Sequence, residues 1–131
     1  MKPTRYHALK ILQWCKDNYG KSKHNKSDLT FVFRKQDHIS VALDEEAYYD
    51  ADDNEIFVSS QHHHTVHDLC VSIIEEYQHY LQSNREYQKL AQDHDYDTHP
   101  LELAAKRVAE RDCDICEREI RQKYQKFNGL P

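Results

Sequence analysis

The sequence predicts a single α+β domain with a small three-stranded sheet. Three observations support this class. Segments with the 3.6-residue apolar period of helices lie near the start, the middle and the end of the chain. Short segments rich in β-branched and aromatic residues are grouped between the first two helices, which favours α+β over an alternating α/β order. Because 131 residues without an internal repeat or a linker suit one domain, we expect residues 1–131 to form one unit.

The first helix is predicted over residues 4–19. Its apolar residues recur at helical spacing and mark one face for burial; they are Ala8, Ile11, Leu12, Cys15 and Tyr19. Thr4 stands at the start, where a side-chain oxygen can cap free N–H groups. Gly20 stands where a residue with a left-handed conformation commonly ends a helix. A polar loop over 21–28 follows.

Three strands are predicted after this loop. Residues 29–33 and 38–43 are rich in β-branched and aromatic side chains, and the short polar connection between them indicates a hairpin. Residues 48–54 are rich in turn-forming types, with two tyrosines at their start. Residues 55–58 then form a third short strand. The sheet therefore precedes the second helix directly.

The second helix is predicted over residues 65–83. Its apolar stripe contains Val66, Leu69, Cys70, Ile73, Tyr77 and Leu81. Residues 84–99 are polar and irregular, with room for a short helix. Pro100 suits the first turn of another helix, because its missing N–H would be unpaired there in any case. That last helix is expected to reach about residue 126, before Asn128-Gly129.

The stripe of the last helix is predicted from Leu101, Ala104, Ala105, Val108 and Ile115. Asp112 and Glu119 interrupt it, so the far end is expected to protrude or to pack differently.

Composition and charge exclude several classes of function. The formal net charge is −5, and Lys and Arg do not collect into one surface, so nucleic-acid binding is not expected. No segment has a run of apolar residues close to the about 20 that a membrane helix needs. The N-terminal residues lead into an amphipathic helix rather than a signal peptide, so we expect a cytoplasmic protein. Its four cysteines should then be reduced thiols.

The second helix carries the most informative polar spacing. Glu75 and His79 are four residues apart and share one helix face, and Glu76 lies about 100° around from Glu75. Metalloprotease helices use this spacing for two metal ligands and for a carboxylate that activates water. Further along, Glu102 begins a Glu-Leu-Ala-Ala segment on the last helix. A third ligand on a following helix would complete a catalytic site with one position left for water.

These motifs resemble those of the minimal zincin, or gluzincin, metallopeptidases. In that family His-Glu-x-x-His is followed downstream by Glu-x-x-Ala, and a helix, a small sheet with an edge strand, the motif helix and a glutamate-bearing helix come in this order. Here the motifs read Glu75-Glu76-Tyr77-Gln78-His79 and Glu102-Leu103-Ala104-Ala105. The segment over 48–58 also looks like the family's strand before the motif helix. The resemblance covers roughly residues 4–110.

The resemblance implies that Glu75, His79 and Glu102 are metal ligands and that Glu76 is the general base. Glu75 departs from the family pattern, which has histidine at this position. One histidine and two carboxylates neutralise a dication, and a neutralised ion polarises a carbonyl group less. Zn²⁺ is the expected ion. The oxygen-rich ligand set also suits Mn²⁺, Fe²⁺ or Mg²⁺, and a site without an ion is a further alternative.

A histidine-rich tract precedes the motif helix and offers further candidate ligands. It contains His62, His63, His64 and His67, and one of these, or His99, is a candidate for the missing ligand. Alternatively, these histidines simply belong to a polar loop and to the first turn of the helix that follows. Tyr80 and the nearby histidines are candidates for stabilising an oxyanion.

Two weaker motifs have structural explanations. Cys113-Asp114-Ile115-Cys116 is a lone C-x-x-C in the middle of a helix, where packing cysteines are expected, because a zinc site needs two more ligands. Glu76 and His79 match half of a di-iron motif, but that site needs a second copy on a four-helix bundle.

Two functions remain open from the sequence. The first is a metal-dependent peptidase or related hydrolase that acts on a peptide or protein, with a substrate strand added to a sheet edge. The second is a catalytically inactive zincin scaffold that binds a protein partner or serves assembly, for example as a component of a phage particle. A bacterial protein or a virion-associated protein would fit this second function.

Overall fold

The computed structural model describes residues 2–35 and 46–127, with side chains through residue 123. Its four α-helices and small mixed sheet confirm the predicted α+β class. The elements are α1 (Arg5–Tyr19), β1 (Thr30–Arg34), β2 (Ala47–Asp50), β3 (Glu55–Ser59), α2 (Val66–Leu81), α3 (Asn84–Ala91) and α4 (Pro100–Phe127), with a 3₁₀ turn at Tyr96–Thr98. None of the helices described is long and apolar enough to cross a membrane.

Helix α1 begins and ends as its sequence predicts. The Thr4 N–H donates to Nδ1 of His7 over 3.0 Å, so an otherwise free amide at the helix start has a partner. Gly20 has φ of 80°, a value that residues with a side chain rarely adopt, and its N–H donates to the Lys16 carbonyl. These two ends fix the length of the helix.

The sheet has the strand order β1-β3-β2. Strand β3 pairs in parallel with β1 and antiparallel with β2, which lies at the edge of the described sheet. The predicted turn over 48–54 is partly wrong, because its first residues extend β2. Tyr48 stacks on Phe57 of β3 at a ring distance of 5.1 Å, and such aromatic pairs across strands favour extended backbone. The predicted strand over 38–43 lies outside the described residues.

Helix α2 lies at the centre of the core. Leu69, Ile73 and Tyr77 recur on one face and are almost completely buried. They belong to the same apolar cluster as Ile11 of α1 and Ile56 of β3. Burial of each large aliphatic side chain contributes about 1.5–3 kcal/mol relative to exposure, so this one face accounts for much of the stability.

The apolar stripe of α4 differs from the prediction. The buried residues are Ala105, Ala109, Cys113, Cys116 and Ile120, whereas Ile115 is 45% exposed. Of the two alternatives expected for the far end, protrusion is wrong as far as Ile120, which is buried in the core, and different packing is confirmed. The error has a physical reason. Asp112 and Glu119 accept hydrogen bonds from the Tyr19 hydroxyl and the Trp14 indole of α1, so both carboxylates belong to the packed face.

All four cysteines are free and buried. Cys15, Cys70 and Cys116 are fully enclosed in the core, and Cys113 is nearly so. Both Cys113 and Cys116 are thus buried on α4, as expected for packing residues.

We predict that Asp112→Ala lowers the free energy of unfolding by about 1–3 kcal/mol, because the Tyr19 hydroxyl loses a charged acceptor at 2.6 Å. Urea denaturation at neutral pH measures this. Glu110→Ala, at an exposed position on the same helix, is the control and should change stability by less than about 0.5 kcal/mol.

The loss of stability in Asp112→Ala should also depend on pH. Hydrogen bonds from Arg111 and Tyr19 lower the pKa of Asp112 in the folded protein. The stabilisation is therefore complete above the usual aspartate pKa and is lost as the pH falls through the lowered folded value. If the wild type and Asp112→Ala differed in free energy of unfolding as much under strongly acidic conditions as at neutral pH, this account would be contradicted.

Candidate active site

A cleft of about 900 Å³ lies between the edge strand β2, the polar face of α2 and the first turns of α3 and α4. Tyrosines line part of it, including Tyr48, Tyr49 and Tyr87. No Lys or Arg is found among the lining residues that the structure describes. Its carboxylates are Glu46, Asp50, Asp52, Glu75, Glu76 and Glu102. The cleft therefore presents a strongly negative surface.

His79 and Glu102 meet at the base of this cleft. His79 lies in the last turn of α2 and Glu102 in the first turn of α4. His79 Nε2 lies 2.9 Å from Oε1 of Glu102, and both side chains are nearly buried. Residues 23 apart in the sequence thus form one polar pair.

Gln82 fixes the orientation of His79. Its amide nitrogen donates to the Leu101 carbonyl over 3.0 Å, which turns its oxygen towards Nδ1 of His79 at 2.8 Å. Nδ1 must therefore carry a hydrogen, and Nε2 faces the Glu102 carboxylate. Burial alone would lower the pKa of His79, but the hydrogen bond to Glu102 and the charge of Glu76 outweigh it, so the pKa is raised. Its contacts with Glu102 and Gln82 thus favour the charged form of His79.

Tyr87 of α3 is a site residue that the sequence did not reveal. Its hydroxyl donates to Oε2 of Glu102, the oxygen that His79 does not use. Burial alone would raise the pKa of Glu102, but the hydrogen bonds from His79 and Tyr87 outweigh it and lower that pKa. One signal was present in the sequence. Ser83-x-x-Glu86 is a typical helix start, and Ser83 accepts from the Glu86 N–H.

His99, a candidate for the missing ligand, supports Tyr87 from behind. Its ring stacks on Tyr87 at 4.0 Å, and its Nε2 donates to the Tyr87 carbonyl at 2.9 Å. Its Nδ1 accepts from the Leu101 N–H at 3.1 Å. Both ring nitrogens are thus engaged, and His99 does not line the cleft.

Glu75 and Glu76 both line the cleft. Burial raises the pKa of Glu75, although the nearby Lys106 opposes this effect. Glu76 is almost completely buried. Glu75 is not gathered with His79 and Glu102 into a group whose ligand atoms lie within 4.8 Å of one another. A shared ion would therefore require the Glu75 side chain to turn towards the pair.

Tyr80 lies away from the cleft. Its hydroxyl accepts from the Ser22 N–H at 3.2 Å, and its ring packs at 5.1 Å from that of Tyr77. The structure thus puts Tyr87, rather than Tyr80, beside the polar pair.

The histidine-rich tract is divided between different environments. His63 is buried, and it bonds to the Ser59 carbonyl at 2.6 Å and to the Ser72 hydroxyl at 2.8 Å. His62 contacts the Ser59 hydroxyl, whereas His67 faces α4. None of these three histidines lines the cleft. His63 therefore connects β3 to α2 as a structural residue.

Comparisons with family models, with curated proteins and with solved structures found no match. The assignment to the zincin-like metallopeptidases therefore stays a prediction from the two motifs.

Proposed function

We propose that the cleft binds a divalent metal ion and hydrolyses peptide bonds. The observation that supports this most is the contact of His79 with Glu102 at the base of an acidic cleft. These are the second and third ligand positions of the motif. They come from separate helices, and each is oriented by a further polar side chain.

The donor set fits such an ion. His79 Nε2 and Glu102 would hold it, with Glu75 as a third ligand after its side chain turns. Gln82 accepts from the other ring nitrogen of His79, and Tyr87 donates to Glu102. Such outer partners fix the ring orientation and the position of a ligating carboxylate. When bound, the ion would supply Lewis acidity, which polarises a carbonyl group and makes water easier to deprotonate.

Glu76 is proposed as the general base. It follows Glu75 directly on α2, lines the same cleft and is almost buried. Its carboxylate would take the proton from the attacking water and pass it to the departing amine. Removal of a correctly placed base reduces turnover by about 10²–10⁴-fold in other enzymes.

The lining of the cleft indicates which substrates it would accept. Strand β2 is the edge of the described sheet and also lines the cleft, so an extended peptide that added to this edge would pass over Glu76. The carboxylates and tyrosine rings favour cationic side chains, through charge and through cation–π contacts. We therefore propose a peptide with Lys or Arg near the cleaved bond.

One observation favours the second candidate function, a protein-binding or assembly module. His79 and Glu102 already satisfy each other as an ion pair, which is complete without a metal ion. In that case the cleft would bind a basic protein segment without cleaving it.

We predict that His79→Ala and Glu102→Ala each lose one bound ion per chain relative to the wild type, because each removes a ligand. Elemental mass spectrometry on untagged protein, after incubation with zinc or manganese, measures this. His64→Ala, an exposed histidine outside the cleft, should retain the ion. Equal metal content in all four proteins would rule out this ligand pair.

A second prediction concerns the base. Glu76→Gln should keep the bound ion and reduce peptide cleavage by about 100-fold or more. Cleavage of a basic fluorogenic peptide and metal content are measured on the same samples. Undiminished cleavage by this variant would remove Glu76 from the mechanism.

A third prediction separates the two functions. Glu75→His supplies the nitrogen ligand of the usual motif, so zinc affinity should rise. For a weakened enzyme, cleavage should rise with it by about 10-fold, the effect of about 1.4 kcal/mol on the barrier. Tight zinc binding without any cleavage would instead favour the binding module.

A further inference from the structure

A second group of potential metal ligands lies outside the cleft, between the first turn of α2 and the middle of α4. It contains His67, Cys113 and Asp114, and one ligand atom from each lies within 4.8 Å of the others. Glu117, one turn further along α4, also reaches His67. None of the four residues lines the cleft. This group is therefore separate from the site proposed above.

The distances within this group match those of ligands around a small ion. His67 Nδ1 lies 3.8 Å from Oδ1 of Asp114 and 3.0 Å from Oε1 of Glu117. The Cys113 Sγ lies 3.8 Å from Oδ1 of Asp114. In a tetrahedral zinc site, bonds of about 2.0–2.3 Å separate neighbouring ligand atoms by roughly 3.3–3.8 Å. His67, Cys113 and Asp114 are thus already gathered, and Glu117, which contacts His67, would turn towards the other two to complete the set.

We propose that His67, Cys113, Asp114 and Glu117 form a structural zinc site that joins the start of α2 to α4. A set of nitrogen, sulfur and carboxylate ligands suits Zn²⁺ or Co²⁺ and is unsuited to Mg²⁺. Four protein ligands fill the tetrahedron and leave no position for water, as in structural sites. The site would hold α2 against α4 at the end remote from His79.

Charge and access are compatible with this site. Binding replaces the thiol hydrogen of Cys113 with a bond from sulfur to the ion, and that proton is released to solvent. The resulting thiolate and two carboxylates exceed the charge of the ion by one, and Arg121 lies 2.7 Å from Glu117 to offset it. The Asp114 side chain is 88% exposed, and its Oδ1 lies 3.8 Å from the Cys113 sulfur, so an ion that binds Asp114 from solvent lies next to that sulfur.

The site would explain two sequence features that the cleft leaves unused. His67 is the member of the histidine-rich tract that faces α4, and Cys113 is the outer member of the C-x-x-C motif. Cys116, the inner member, belongs to the core instead. The three ligands that Cys113 needs beside it thus come from Asp114 and Glu117 on the same helix and from His67 on α2.

Cobalt spectroscopy tests the proposal, because Cys113 offers sulfur to the ion, whereas the described residues that line the cleft include no cysteine. Titration of the full chain with Co²⁺ should produce a near-ultraviolet sulfur-to-cobalt charge-transfer band that saturates when this site is filled. The band should be lost in Cys113→Ser and in His67→Ala. It should persist in His79→Ala, which removes a ligand of the cleft, and in the exposed control His64→Ala.

Asp114→Asn keeps the experiment decisive if the substitution of a buried cysteine harms folding. Its side chain is exposed, so the variant should fold, as circular dichroism can check. Loss of an outer partner typically weakens a metal site about 10–100-fold, and loss of a direct ligand should lower zinc affinity at least as much. No charge-transfer band in the folded wild type, a band that persists in Cys113→Ser, or unchanged zinc affinity in Asp114→Asn would overturn the proposal.

Discussion

The burial of one face of α2 is the constraint on which the rest of the structure depends. Leu69, Ile73 and Tyr77 fix the rotation of this helix, because they are enclosed by the core formed with α1, the sheet and α4. With the rotation fixed, the helical period points Glu75 and His79 towards the cleft. The position of the polar site is thus set by apolar packing rather than by its own polar contacts.

The polar groups at the base of the cleft are tolerated because each has a partner. A buried charge without a partner would cost several kcal/mol, but Glu102 accepts from both His79 and Tyr87. The same pair of side chains is compatible with two states of the site, one with an ion and one without. A histidine and a carboxylate at 2.9 Å form a complete ion pair, and they are also two ligands for one ion. Which of these two states forms depends on how strongly a metal ion competes with the proton on His79.

The long elements were predictable from sequence, because they depend on regular spacing. The nearness of His79 and Glu102 was implied only by the resemblance of the two motifs to those of the zincins. The extent of β2 was not predictable, since Tyr48 and Tyr49 precede a run of turn-forming residues that masks a four-residue strand. The stripe of α4 was misread because a carboxylate such as Asp112 looks like an interruption until its aromatic donor is known. Tyr87 could not be assigned to the site, since its contact with Glu102 depends on the tertiary position of α3.

The contacts between α1 and α4 have a consequence for how the chain acquires its structure. Trp14 and Glu119 are 105 residues apart, and Tyr19 and Asp112 are 93 apart. On a ribosome that adds about 5–20 residues per second, these two residues of α4 are therefore synthesised roughly 5–20 seconds after their partners on α1. Until α2 emerges and packs on it, the apolar face of α1 is exposed to chaperones and to other nascent chains. Helix α1 thus gains its contacts with α4 only after the sheet, α2 and α3 have been synthesised.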